Sequence, residues 1–332
     1  MSKRGLGRYD ESDARVRAPR SKPRRSKDRP DYSEAPIAFV TTVDRGRITC
    51  LTPDRVTVTA MKARELGKNA IVVGDSIRLD GDVSGAEGTL ARAVEVMPRK
   101  NLLSRTVDDV GAFEKSVAAN VDSLVIVVAA ADPTPRHGFV DRCLVVAYDQ
   151  GIEPILVVTK SDLANPSEFL ESYEALDIST FVLSVKAGDK EALESLREKM
   201  TGKKSVLIGH SGVGKSTLFN ALLQNQSRAT GDVNLATGKG RHTSSSAYAL
   251  ELPGGGWIFD TPGVRSFGLE HVDQSRVVGA FEELAEVIIN CPKLCSHNEA
   301  GCALNNIPSE GKAIKRVEGL RRILASTSQP IT

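Results

Sequence analysis

The order of four short motifs constrains this 332-residue chain more than any other feature. Gly209-His210-Ser211-Gly212-Val213-Gly214-Lys215-Ser216 fits the phosphate-loop pattern G-x-x-x-x-G-K-[ST], with Thr217 next in line. A base-reading pattern, Thr159-Lys160-Ser161-Asp162, comes before it, and so does Ser184-Val185-Lys186. Asp260-Thr261-Pro262-Gly263 comes after it. A nucleotide-binding α/β domain ordinarily presents the phosphate loop first and the base-reading turn late. The inverted order is expected when such a sheet is rejoined at new chain ends, a circular permutation.

The residues around the motifs supply the context they need. Asp122–Ala131 is a near-continuous apolar run, as a strand covered on both faces requires. Helical patterns over Phe139–Gln150, Ser167–Leu176, Lys190–Met200 and Lys215–Gln224 alternate with strands at Pro154–Thr159, Ile178–Ser184 and Ser205–Ile208. Ala247–Leu252 and Trp257–Asp260 complete a doubly wound α/β P-loop domain.

The chemistry follows from the residue types. Gly209, Gly212 and Gly214 let backbone N–H groups converge on phosphate, and the N-terminus of the following helix favours the anion. Lys215 reaches the β- and γ-phosphates, and the Ser216 hydroxyl is a magnesium ligand candidate. Asp260 is expected to hold Mg²⁺ through water, with the Gly263 N–H facing the γ-phosphate. The Asp162 carboxylate can accept two hydrogen bonds from guanine N1 and N2, a pair that adenine does not offer. Lys160 is expected over the base, with Thr159 in the place where asparagine is commoner. Ser184, Val185 and Lys186 would add backbone contact to the guanine carbonyl. Between loop and Asp260, the mobile-looking Gly238-Lys239-Gly240-Arg241-His242-Thr243 carries Thr243, a second hydroxyl for magnesium. Val264 stands where many such enzymes place a water-orienting glutamine, so slow intrinsic turnover is expected. His242 is a candidate substitute, or else a surface histidine in a loop. Arg241 is a weaker candidate for stabilising charge.

Outside this domain the composition shifts. Residues 1–30 hold eleven Lys or Arg against four Asp or Glu and almost no large apolar side chains. Such a stretch, taken as 1–35, is expected to be a disordered basic tail. It either contacts nucleic-acid phosphate or simply solubilises the chain. Residues 36–98 read as five short strands (Ile37–Val40, Ile48–Leu51, Val56–Ala60, Ala70–Val73 and Leu90–Val96), suiting an OB-fold or an SH3-like barrel. Phe39 is the only aromatic there, so phosphate contact by Arg45, Arg47, Arg55, Lys62, Arg64 and Lys68 is favoured over base stacking. Residues 99–105 read as a basic connector. Ser275–Asn290 and a basic helix over Ser309–Ala325 (Lys312, Lys315, Arg316, Arg321, Arg322) flank a cysteine cluster. Within it, Cys291, Cys295, His297 and Cys302 form a Cys₃His set suited to structural zinc, with free thiols or a redox pair as the alternative. Cys50 and Cys143 read as core. An odd count of five cysteines argues against a disulfide scaffold. No apolar run approaches a membrane span, and no secretory h-region is evident, so a cytoplasmic location with no membrane partner is expected.

Taken together, these motifs resemble the ribosome small subunit-dependent GTPase A family, which is circularly permuted. The match runs through Gly209–Ser216, Gly240–Thr243, Asp260–Arg265 and Thr159–Asp162, and takes in the preceding barrel and the cysteine cluster. The resemblance implies an all-β OB-fold RNA-binding barrel (36–98), a circularly permuted GTPase domain (99–270) and a C-terminal α-helical zinc-binding domain (271–332). It also implies a GTP/GDP cycle with Mg²⁺, a Zn²⁺ site, and late maturation of the small ribosomal subunit, whose rRNA it contacts and which stimulates hydrolysis. The family's switch histidine matches His242. A monomer is expected. The alternative is an rRNA-binding assembly module with vestigial nucleotide chemistry, and a metabolic ATPase or kinase is a third reading.

Overall fold

The computed structural model describes residues 31–44, 46–67, 71–106, 114–223, 247–261, 269, 272–308 and 310–327. Five strands come first: β1 (Ile37–Asp44), β2 (Arg47–Leu51), β3 (Thr57–Lys62), β4 (Ser76–Asp80) and β5 (Ala91–Val96). Their pairing runs β1-β2-β3-β5-β4 and returns from β4 to β1, closing a barrel in which only β3 and β5 are parallel. Small inward residues such as Ala38, Ala60, Ala91 and Ala93 fill it beside Val40, Val58 and Ile77. Cys50 lies in this core, its thiol pushed up to about 12 by burial.

The fourth strand differs from the sequence expectation. Ile71, Val72 and Val73 are all buried and form no barrel strand, whereas Ser76-Ile77-Arg78-Leu79-Asp80 alternates between half-buried and buried. A barrel wall needs that period of two, and a continuous apolar run does not supply it. Val73 instead bridges to Ala118, outside the barrel. The expected connector is also structured: β6 (Leu102–Thr106) pairs antiparallel with β7 (Glu114–Ala119). Its basic residues are engaged, since Arg99 binds both oxygens of the fully buried Asp75 at 2.7 and 2.8 Å, and Lys100 pairs with Asp122.

The nucleotide-type sheet follows with β8 (Ser123–Ala129), β9 (Glu153–Thr159), β10 (Ser179–Val182), β11 (Lys204–Ile208), β12 (Tyr248–Glu251) and β13 (Trp257–Asp260). The order is β10-β9-β8-β11-β13-β12, parallel except for β12. Every residue of β8 is buried. Leu124, Ile126 and Val128 face one core, while Val125, Val127 and Ala129 face the other. The first face carries α1 (His137–Asp149) and α2 (Ser167–Glu174); the second carries α3 (Lys190–Met200) and α4 (Lys215–Leu223). Cys143 is buried within α1.

β12 also pairs with β1, so the barrel extends the central sheet. Phe39 of β1 rests against Trp257 and Phe259, with centroids 4.8 and 6.3 Å away, which commits the barrel's sole aromatic to packing. Arg55 pairs with Glu251 and Lys62 donates to the Gly67 carbonyl, leaving Arg47 and Arg64 exposed; Arg45 and Lys68 lie outside the described residues.

The C-terminal helices are α5 (Gln274–Gly279), α6 (Glu282–Ile288) and α7 (Lys312–Ser326). The single helix expected over 275–290 is broken at Ala280-Phe281. Phe281 leaves helical geometry to bury its ring, edge-on to Tyr148 at 5.7 Å. Buried residues of α5, α6 and α7 share one core with α1, β8 and β9. The last helix is not a free basic face. Lys312 and Arg316 bind Asp177, Arg316 also pairs with Glu283, Arg322 binds Asp141 at 2.9 Å, and Arg321 donates to the His297 carbonyl; Lys315 is exposed. Among the described residues, no helix is long and apolar enough to cross a membrane.

Candidate nucleotide site and metal centre

The glycine-rich loop joins β11 to α4, and its backbone shows why glycine is needed. A Cβ on Gly209 would lie 2.3 Å from the Val127 carbonyl oxygen. Gly212 and Gly214 have φ of 82° and 93°, values that side chains disfavour. The Lys215 ammonium curls over the loop, donating to the Gly209 carbonyl and to that of His210 at 2.6 Å. Val213 is buried, while Ser211, Gly212, Ser216 and Thr217 remain exposed at the mouth. The His210 ring packs on Phe139 at 4.3 Å. Beside it opens a pocket of 310 Å³, walled by His210 and Ser211 on one side and Pro133, Thr134 and Arg136 on the other.

The early and late motifs meet. The buried Thr159, at the end of β9, places its hydroxyl between the Val128 carbonyl (3.1 Å) and the Val213 carbonyl of the phosphate loop. β8 separates β9 from β11, yet both turns leave the same carboxyl edge of the parallel sheet. Lys160 takes a φ of 56° and turns its ammonium to the Asp132 carbonyl. Asp162 is exposed beside it. Ser184 is buried, and its N–H donates to Asp189 Oδ2 at 2.6 Å; Val185 is half-buried and Lys186 exposed. Two neighbours escaped the sequence reading. They are Asp189, just ahead of the helix at Lys190–Met200, and the Pro133–Arg136 segment that walls the pocket. A proline-rich turn at a strand's carboxyl end was the only available signal for the second.

Asp260 ends β13, the strand next to β11, so it and Ser216 sit at one edge of neighbouring strands. The Tyr248 hydroxyl donates to Asp260 Oδ2 at 2.9 Å. Burial, and then the Asp260 charge, raise the Tyr248 hydroxyl well above its ordinary value, so it stays a donor. An exposed hydroxyl and a carboxylate are the oxygen donors that magnesium prefers. Thr243, His242, Arg241, Gly263 and Val264 lie outside the described residues.

At the other end of the chain, the donor atoms of Cys291, Cys295, His297 and Cys302 all lie within 4.8 Å of one another. Cys291 Sγ is 3.8 Å from Cys302 Sγ and 3.7 Å from His297 Nδ1. Tetrahedral zinc with bonds of about 2.3 Å to sulfur sets sulfurs roughly 3.8 Å apart, so the set fits the ion. Four protein donors leave no coordination position for substrate.

Comparison with known proteins places the chain in a family. The family model described as RsgA GTPase matches residues 96–270. A small ribosomal subunit biogenesis GTPase RsgA from Pseudomonas aeruginosa is 37% identical, covering 77% of this chain and 76% of that protein. The protein of the same name from Hahella chejuensis is 34% identical, over 79% of this chain and 75% of its own. Among solved structures, YjeQ from Thermotoga maritima superposes with a TM-score of 0.63 at 25% identity, covering 87% of this chain and 98% of that one. YloQ, described as a circularly permuted GTPase, shares the fold with a TM-score of 0.60 at 22% identity, covering 87% and 95%.

Proposed function

Because the chain belongs to the RsgA GTPase family, we propose that it is a GTP-hydrolysing switch that binds the small ribosomal subunit and assists its late maturation. The observation that carries this reading is the contact of the Thr159 hydroxyl with the Val213 carbonyl, which joins the base-reading turn to the phosphate cradle at one sheet edge. A single guanine nucleotide spans them. Asp162 accepts from the guanine N1 and N2 groups, and Lys160 covers the ring. Ser184, its N–H held by Asp189, anchors the turn from which Val185 and Lys186 contact the guanine carbonyl. Gly209 to Gly214 present N–H groups to the phosphates, and Lys215 leaves its two loop carbonyls to neutralise phosphate charge. Ser216, Thr243 and, through water, Asp260 hold magnesium, which when bound offsets charge on the phosphate oxygens. His242 orients the attacking water and the bound subunit completes the arrangement, so turnover should be slow without the subunit.

The barrel is read as an OB-fold, supported by its β1-β2-β3-β5-β4 ring with one parallel pair. Among its described residues, exposed Arg47 and Arg64 are candidates for contact with rRNA phosphate. The C-terminal Cys₃His set holds zinc as a structural centre. The protein acts as a cytoplasmic monomer between subunit encounters. The test is affinity for purified small subunits with a non-hydrolysable GTP analogue against GDP, alongside turnover with and without subunits. The GTP form should bind more tightly and subunits should accelerate phosphate release; equal affinities and unchanged turnover would reject the switch.

A further inference from the structure

We infer that Asp189 is a positioning residue for guanine selectivity, an inference that rests on the nucleotide reading above. Its backbone sits at the N-cap of α3, where an aspartate ordinarily accepts an N–H from the first helical turn. This one makes no such bond. Its Oδ2 instead accepts the Ser184 N–H at 2.6 Å, and the Ser161 hydroxyl at 3.5 Å. One carboxylate oxygen thereby reaches both base-side turns, residues 159–162 and residues 184–186.

The Ser184 turn is built around that bond. The Ser184 carbonyl accepts the N–H groups of Gly188 (3.1 Å) and Asp189 (3.2 Å), and its hydroxyl accepts the Ala187 N–H at 3.1 Å. With its own N–H given to Asp189, Ser184 has every polar group occupied inside a buried position. The turn's remaining outward groups, at Val185 and Lys186, are then held at one height above the sheet. The Thr159–Asp162 turn is separately fixed by Thr159 on the phosphate loop and Lys160 on Asp132. Asp189 sets the spacing between these two turns, and the spacing decides whether a guanine edge meets acceptor and donor together. Among the described residues, the Asp189 side chain makes no hydrogen bond to the phosphate loop.

The experiment measures GDP and ADP dissociation constants for the full chain with Mg²⁺, for wild type, Asp189→Ala and Asp189→Asn, with melting temperatures as a check on folding. Asp189 is exposed, so the fold tolerates both changes. Asp189→Ala should weaken GDP about five- to tenfold while ADP, held through its phosphates, changes little. Asp189→Asn keeps an acceptor oxygen and should restore the GDP-to-ADP ratio to within about threefold of wild type. A ratio unchanged in Asp189→Ala, whether both affinities hold or both fall together, overturns the inference. So does an Asp189→Asn ratio as low as that of Asp189→Ala. A wild-type chain without GDP preference is a different result, one that removes the nucleotide reading itself.

Discussion

In the proposed nucleotide site, Asp162 and Thr159 divide the base side between an exposed residue and a buried one. Thr159 is spent on architecture, its hydroxyl shared between β8 and the phosphate loop. Alanine there would remove the one O–H that the two carbonyls share, whereas the commoner asparagine would present an amide with two N–H donors. On the guanine reading, Asp162 would carry selectivity, because two acceptor lone pairs at one point match only guanine. Asp162→Asn replaces one acceptor oxygen with a donor amine. GDP should then lose at least about a hundredfold in affinity and its advantage over ADP should vanish, as read by competition against a fluorescent GDP. The phosphate loop is equally plain at this scale: Gly209 is required by a carbonyl 2.3 Å from where its Cβ would stand.

Helix α1 shows how an element is seated by a few charged groups. Its Asp141 is buried against α7, with Oδ2 on Arg322 and the Tyr173 hydroxyl nearby. Burial pushes this carboxyl from the ordinary 3.8 up to about 6, against the pull of Arg322. Arg322 also lies over the Tyr173 ring at 4.8 Å, and His137, stacked on that ring, is lowered by its own burial and by Arg322. From pH 6 down to 4 the folded chain holds a proton at Asp141 that the unfolded chain has mostly lost. Stability from this group therefore rises as pH falls through 6 and levels off below 4, a span of roughly 3 kcal/mol. Denaturant melts of wild type and Asp141→Asn across that window should differ in slope, the variant lacking the rise.

On the proposed zinc reading, the loop between α6 and α7 would be held by its metal and not by charged groups. Few apolar groups support residues 291–302, and Leu294 and Ile289 are fully or largely exposed. Zinc removal should release one ion per chain in a colorimetric assay and open this loop to protease. α7 should stay docked, because Val317, Leu320 and Ile323 remain in the shared core.

On the scale of the whole molecule, barrel and central sheet are one hydrogen-bonded surface. β1 on β12, Phe39 on Trp257, and Arg99 on Asp75 all cross the junction. Gly74 is part of it as well: a Cβ there would stand 2.1 Å from the Ala119 carbonyl at a φ of +93°. Arg99→Ala strands a buried carboxylate and should cost about 3 kcal/mol, with barrel and sheet melting in separate steps in place of one.

The amino-acid sequence by itself determined the permuted order, the alternation of buried strands and helices, and the residue types at the phosphate and base turns. It did so because each rests on a local requirement: glycine where φ is positive, apolar residues where both sheet faces are covered, a carboxylate where guanine must be told from adenine. The Cys₃His cluster was legible for the same reason, its donors lying close together in the chain. Tertiary structure alone decided what distance in sequence conceals. Ile71–Val73 plugs the barrel's junction while Ser76–Asp80 forms its wall, because burial on all sides and burial on alternate sides differ only once neighbours are present. The helix over 275–290 breaks because Phe281 finds Tyr148, more than a hundred residues earlier in the chain. The basic face of α7 is neutralised by Asp141, Asp177 and Glu283, and the spare oxygen of Asp189 is drawn off its helix by Ser184 and Ser161. Charges and hydrogen-bonding groups choose partners by proximity in space, and no pattern of residue types states that proximity in advance.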